Sequence, residues 1–299
     1  MSLKHRLLRW TRPVLQHLVF SLPVKTPAGT FRVPIVQGTG FGVLDQLRRR
    51  EEAWKEVIYR DLPETPDGLF IDIGANLGQT LIELRMVDRD RPYLGFEPNP
   101  DCLHYIYTLI DRNDFRCVEL VAVGIGATAE ILSLYLPKGR STDSTATLIG
   151  DLRPGRDYQV RQVPIIDGAQ LNTVIGGRAI GLVKIDVEGA ELEVVTGLRD
   201  LLEQQRPPVL CEVLFTDPEA SIEHSRVRNQ ALESVLLEID YRILQIRKSP
   251  DLRQVASLSP IEIFPTDHYR PDNAALCDYL LLPRERADNL IARIHHPAR

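Results

Sequence analysis

Short apolar runs alternate with amphipathic stretches over most of this chain. Residues 69–73 (LFIDI), 93–97 (YLGFE), 118–123 (VELVAV), 182–187 (LVKIDV) and 208–214 (PVLCEVL) have the length and apolar content of buried strands. The spans 79–87, 101–111 and 190–204 between them read as helices, and a helix over 226–239, a strand over 241–246 and an apolar run at 279–282 complete the series. Residues 131–136 read as a hairpin strand, followed by a polar stretch rich in Gly, Ser, Thr and Arg over 138–161. Parallel strands need crossover connections that cover the sheet. The alternation therefore predicts an α/β fold, with a mostly parallel sheet of six or seven strands and helices on both faces.

Before residue 69 the pattern changes. Pro23 to Gly42 is punctuated by Pro and Gly, 44–59 reads as a polar helix, and Pro63, Pro66 and Gly68 mark a turn. The expected organisation is a helical N-terminal extension over 1–62, a main domain over 63–285 and a tail over 286–299. Residues 1–22 start cationic, but Arg9, Arg12, Pro13, Gln16 and His17 interrupt every apolar run, so neither a signal core nor a membrane span is predicted. Leu7, Leu8, Leu15, Leu18, Val19 and Phe20 can share one side of a basic helix. That helix is expected to pack on the main domain, with contact to an anionic membrane surface as the alternative. The expected location is cytoplasmic, or peripheral to the inner face of the membrane under that alternative.

Composition excludes some classes. With 43% hydrophobic and 26% charged residues in 299, the chain is neither disordered nor multispanning. A net charge of -5 leaves no bulk positive field for nucleic acid, although no acid precedes Asp45 while Lys4, Arg6, Arg9, Arg12, Lys25 and Arg32 do. Cys102, Cys117, Cys211 and Cys277 are widely spaced and the histidines show no ligand spacing, so reduced thiols and no structural metal are expected.

The informative feature is that Asp72, Glu97, Asp186 and Glu212 all fall at or near predicted strand ends, where ligands sit in such sheets. Residues 72–78 (DIGANLG) form a Gly-rich strand-to-helix turn, but one without GxGxxG or GxxxxGK[ST], so no phosphate cradle is evident. Asp72 would repel a phosphate and attract an ammonium group. Glu97, 25 residues on, stands near the spacing at which an acid accepts both ribose hydroxyls. A ligand with a ribose, an ammonium and no phosphate is S-adenosylmethionine.

The segments 71–80 (IDIGANLGQT), 96–100 (FEPNP) and 183–191 (VKIDVEGAE) together resemble the FkbM-type family of S-adenosylmethionine-dependent class I methyltransferases, over roughly residues 67–215. The resemblance implies a Rossmann-like, seven-stranded class I methyltransferase fold. It also implies methyl transfer, usually to a hydroxyl oxygen of a sugar, a glycan or glycolipid, or a related natural product. By motif, Asp72, Gly74, Ala75, Asn76 and Gly78 would line the methionine end of the cofactor, Glu97 would hold the ribose and Ala122 would lie near the adenine. Some relatives carry a His two residues after the acid matching Glu212; this chain has Leu214 there.

Methyl transfer to an unactivated hydroxyl requires an in-line approach and loss of the hydroxyl proton. Asp186 is the expected base, with Glu188 and Glu212 as alternatives. Lys184, Asp186 and Glu188 alternate along one strand and so point to one side, where a charge network can hold a carboxylate in place. The structural reading of the same trio is that Lys184 neutralises buried acids and Glu188 caps the helix starting near Gly189. Residues 138–161 are a candidate acceptor lid, and Gly38–Gly42 (GTGFG) reads as a turn. Two competing functions stay open: an NAD-dependent oxidoreductase, which the absent GxGxxG disfavours, and an inert cofactor-binding or membrane-associated module.

Overall fold

The computed structural model describes residues 19–62, 65, 67–139, 141–150 and 152–295. Most of the basic N-terminal stripe, Pro63, Pro66 and Arg140 lie outside the described residues.

The described chain opens with a hairpin, β1 (Val19–Thr26) and β2 (Gly29–Val36), where the sequence reads as a Pro- and Gly-punctuated stretch of a helical extension. Phe31, Val33 and Ile35 alternate into the core, a period of two that Pro23, Pro27 and Pro34 mask in the sequence. The span 44–59 splits into α1 (Phe41–Arg49) and α2 (Lys55–Asp61), because Arg50 turns left-handed at φ 56° and ends the first helix. Of the span Gly38–Gly42, read as a turn, residues 38–40 form one, closed by paired hydrogen bonds between Val36 and Thr39, while Phe41 and Gly42 open α1.

The remaining elements are β3 (Leu69–Ile73), α3 (Gln79–Val87), β4 (Tyr93–Phe96), α4 (Pro100–Asn113), β5 (Val118–Val121), β6 (Gly124–Ile125), β7 (Glu130–Pro137), β8 (Tyr158–Ile166), α5 (Gly168–Ile175), β9 (Ile180–Ile185), α6 (Glu191–Gln205), β10 (Val209–Glu212), α7 (Ile222–Glu238), β11 (Tyr241–Lys248), β12 (Val255–Ile261), β13 (Asp278–Pro283) and α8 (Arg284–His295). The main sheet runs β12-β11-β13-β10-β9-β3-β4-β5. Strands β10, β9, β3, β4 and β5 are parallel, while β13 runs antiparallel to both β10 and β11. This is the α/β architecture expected, with one strand more than the seven anticipated. The addition, β12, is an edge strand whose Ser and Pro content hides it. A second sheet, β6-β8-β7, carries the polar stretch between β7 and β8.

Neighbouring residues on each strand face opposite layers. Ile71, Val183, Ile185 and Leu281 pack under α6, whereas Phe70, Leu182 and Leu280 pack with Trp54 and Tyr59 of the N-terminal segment. Phe70 stacks on Tyr93 and meets Tyr59 edge to face, with ring centroids 6.0 and 5.1 Å apart. Asp72 and Lys184, two residues beyond Phe70 and Leu182, therefore point into the same layer. Among the described residues no helix is long and apolar enough to cross a membrane.

Candidate active site

The carboxyl ends of β3, β4, β9 and β10 open into a cavity of about 510 Å3, within the usual size of a small-molecule site. Gly74 and Ala75 begin the turn after β3 and both donate to the carbonyl of Phe96, at 3.0 and 3.1 Å. Gly74 has φ 88°, and a Cβ there would overlap the carbonyl oxygen of Asp186, so the turn lies against the end of β9 and requires glycine. Asn76, at φ 45°, presents its N–H to Glu97 Oε2 at 2.8 Å. The other oxygen of Glu97 accepts from Asn99 N at 2.8 Å. Glu97 lines the cavity with both oxygens fixed by backbone and lone pairs to spare. Burial raises its carboxyl to about 7 against the pull of those two N–H donors. Asn76 Oδ1 is enclosed and has no hydrogen-bond partner among the described residues.

Three residues expected at the cofactor are placed elsewhere. Asp72 is fully buried (0% exposed) beneath the cavity, accepting from Tyr93 Oη at 2.6 Å and Lys184 Nζ at 3.3 Å. Gly78 starts α3 at φ 77°, and its missing side chain makes room for Leu109 of α4. Ala122 is exposed at the surface, and it is Gly124 and Ile125 that line that side of the cavity. Gly74, Ala75, Asn76 and Glu97 remain together at its wall.

The proposed acids do converge. Lys184, enclosed at 4% exposure, bridges Asp72 and Asp186, its Nζ lying 3.1 Å from Asp186 Oδ2. Burial opposes ionisation of Asp186, but the charges of Lys184 and Lys55 outweigh it, and a hydrogen bond with Glu212 adds to them, so its carboxyl is held below the ordinary range. Glu212 moves the other way. Burial and the charges of Asp186 and Asp278 push it well above the ordinary range, and the Cys277 thiol donates to its Oε1 at 3.0 Å. The pair is thus split, Asp186 favouring its ionised form and Glu212 its protonated one. Glu188 pairs with Arg153 from the polar stretch, and Thr147 Oγ1 donates to its carbonyl at 2.7 Å. Asn99 Nδ2 also donates to Ser141 O at 2.6 Å, so Ser141, Thr147 and Arg153 of the polar stretch are each tied to the elements that bound the cavity. The N-cap role expected of Glu188 is not taken up: Ala190 is the N-cap of α6 and makes no side-chain cap, while Glu191, the first helical residue, accepts from Gly189 N at 2.9 Å.

Sequence reasoning missed one wall of the cavity. Trp54 and Lys55 line it from the N-terminal segment, and Lys248 and Asp278 line it from β11 and β13. Lys55 pairs with Glu52 at 2.7 Å and Lys248 pairs with Asp278, their ammonium groups 5.6 and 4.8 Å from the Trp54 ring. Only the apolar run at 279–282 hinted that a strand near residue 278 reaches the site.

A pH dependence follows. Glu97, Glu188 and Glu191 are each raised to about 7 by burial, from an ordinary 4.5. Between those values the unfolded chain releases these protons while the folded chain keeps them. Stability is therefore greatest below pH 4.5 as far as these groups are concerned, and is lost as pH rises to about 7, by up to about 3 kcal/mol for each. Urea unfolding of the ligand-free protein is expected to show a lower midpoint at pH 8 than at pH 6; a higher one would contradict these assignments.

Residues 72–243 match the family model described as the methyltransferase FkbM domain. A curated relative, Methyltransferase 1 of the fungus Beauveria bassiana, is 25% identical over 166 residues, which is 50% of this chain and 66% of the relative. Among solved structures, Methyltransferase FkbM from Methylobacillus flagellatus is 17% identical with a TM-score of 0.41, covering 82% of this chain and 54% of that one. A SAM-dependent methyltransferase from Agrobacterium tumefaciens is 5% identical with a TM-score of 0.39, covering 88% and 70%. The chain thus spans about two thirds of the fungal relative and about half of the Methylobacillus protein.

Proposed function

Because the chain belongs to the FkbM methyltransferase family, we propose that it binds S-adenosylmethionine in the 510 Å3 cavity and methylates a hydroxyl of a sugar, glycolipid or related acceptor. The observation that carries the reading is the doubly anchored Glu97 beside the Gly74–Asn76 turn. Its two oxygens, fixed by Asn76 N and Asn99 N, are spaced to accept two neighbouring hydroxyls of a ribose. The unpartnered Oδ1 of Asn76 is an acceptor for an ammonium or N–H group entering the same wall. The residues present therefore fit the cofactor, with Gly74, Ala75, Asn76 and Glu97 holding it.

When bound, S-adenosylmethionine supplies a sulfonium methyl and a neutral thioether leaving group. The chain supplies position and a proton acceptor. Asp186 is ionised at neutral pH through Lys184 and stands at the carboxyl end of β9, where an acceptor hydroxyl can donate to it. A weak base suffices, because a hydroxyl becomes strongly acidic only as its oxygen gains the methyl. Glu212, whose carboxyl is pushed towards its protonated form, hydrogen-bonds Asp186 and helps to orient it. Glu188 is committed to Arg153, so it holds the covering segment rather than serving as the base. Next to these acids the Lys55–Glu52 and Lys248–Asp278 pairs set donors beside acceptors near Trp54, which suits a polyhydroxylated acceptor.

Calorimetric titration is expected to show binding of S-adenosylmethionine and S-adenosylhomocysteine and none of NAD. Glu97→Gln should weaken both by about tenfold or more, since the amide turns an NH2 towards a backbone N–H and loses the charge-assisted acceptor. NAD binding alone would replace this reading with the oxidoreductase one.

A further inference from the structure

A second cavity, of about 380 Å3, lies at the opposite end of the sheet and shares no lining residue with the first. It is bounded by the segments that lead into β4 and β5 and by the β1–β2 hairpin. Phe31 and Phe115 line it as an aromatic pair, with centroids 5.9 Å apart. Three arginines, the exposed Arg89 and Arg116 and the buried Arg85, are among its lining residues as well.

Arg85 is the unusual one. It is 1% exposed, and its donors go only to the carbonyls of Asp88, Arg91 and Arg116, at 3.3, 3.0 and 2.8 Å. No carboxylate stands within ion-pair distance among the described residues, and Nε has no partner at all. Burying a cation on neutral acceptors alone is costly, and burial pulls the Arg85 guanidinium below its ordinary value. Arg89 donates to Ala28 O at 2.7 Å, and Arg116 has no side-chain partner among the described residues. Against these three cations the lining holds two acids, Asp90 and Asp114, so the concavity keeps a net positive charge.

We propose that this cavity is a second ligand site, for a phosphate-type oxyanion attached to an apolar or aromatic group. Guanidinium groups match the planar, bidentate geometry of phosphate oxygens, and the Phe31–Phe115 pair gives the apolar part a surface to rest on. A free phosphate monoester and the headgroup of an anionic lipid share this chemistry.

The test uses the full chain and an Arg89→Gln/Arg116→Gln double variant, leaving the buried Arg85 in place so that folding is preserved. Phenyl phosphate is expected to bind the wild-type protein more tightly than inorganic phosphate, and to lose roughly tenfold or more in the double variant. S-Adenosylmethionine binding should be equal in both proteins, which separates failure of this site from failure of the catalytic reading. Cosedimentation with vesicles of phosphatidylcholine containing phosphatidic acid, reduced in the double variant, assigns the lipid source; binding of phenyl phosphate without that reduction assigns a soluble one. Equal affinity of wild type and variant for phenyl phosphate, displacement of it by S-adenosylmethionine, or no binding at millimolar concentration each overturns the proposal.

Discussion

Replacing Asp186 by Asn is expected to reduce kcat for methyl transfer by about 100- to 10,000-fold, the usual span for loss of a positioned general base. Affinity for S-adenosylmethionine should change little, because the residues proposed to hold it lie on the turn after β3 and on Glu97. The substitution also acts on the neighbour. Glu212 owes part of its raised pKa to the charge of Asp186, so in the variant its carboxyl falls and it becomes an acceptor of protons itself. Residual activity of Asp186→Asn should therefore rise with pH, and Asp186→Asn/Glu212→Gln should abolish that rise. Single-turnover rates across pH, with calorimetric cofactor binding as the folding control, check both points. Full activity in Asp186→Asn would remove Asp186 from the mechanism, and a pH-independent residual rate would remove Glu212.

The second large effect is on stability. In Gly74→Ala the new Cβ meets the backbone carbonyl of Asp186, which cannot rotate away, and alanine must also take up φ 88°. Overpacking and the backbone conformation together should cost about 3 kcal/mol or more. That is a large share of the total stability of an ordinary domain, roughly 5–15 kcal/mol. Gly177 isolates the two terms, because it has φ 76° with open space around it. Gly177→Ala should cost only about 1 kcal/mol. Urea midpoints for the two variants measure the difference; if they coincide, the close approach of the turn to β9 is not what demands glycine at residue 74. A Gly74→Ala protein that folds normally but no longer binds cofactor would instead make the glycine a matter of ligand access.

Much of this molecule is legible from its pattern. Buried parallel strands must be apolar throughout, so β3, β4, β9 and β10 announce themselves, and the acids at their ends mark the open edge of the sheet. What escaped reading has physical causes. The β1–β2 hairpin tolerates prolines because it pairs on one edge only, and they disguise its period of two. Asp72 sits in a motif that suggests a ligand contact, yet its side chain faces the layer of Tyr93 and Lys184. The register pairing of Asp72 with Lys184 puts both on that face, a relation between strands 112 residues apart that one strand cannot reveal. The same holds for Trp54, Lys55, Lys248 and Asp278. Each looks like an ordinary surface or strand residue until the sheet order brings residues 54 and 278 to one wall.

The position of β13 also shapes how the molecule comes into being. It lies between β10 and β11 but follows both in the chain. A growing polypeptide therefore exposes the two flanking strands before the strand that belongs between them exists, and their inner edges are left unpaired. Pairing β10 directly with β11 would be a trap, since the late strand would then have to break that contact to enter. Cys277 and Asp278 arrive with that strand, so the wall they form closes after the wall of Gly74 and Glu97. The wall proposed to face an acceptor therefore stays incomplete until the late strand inserts.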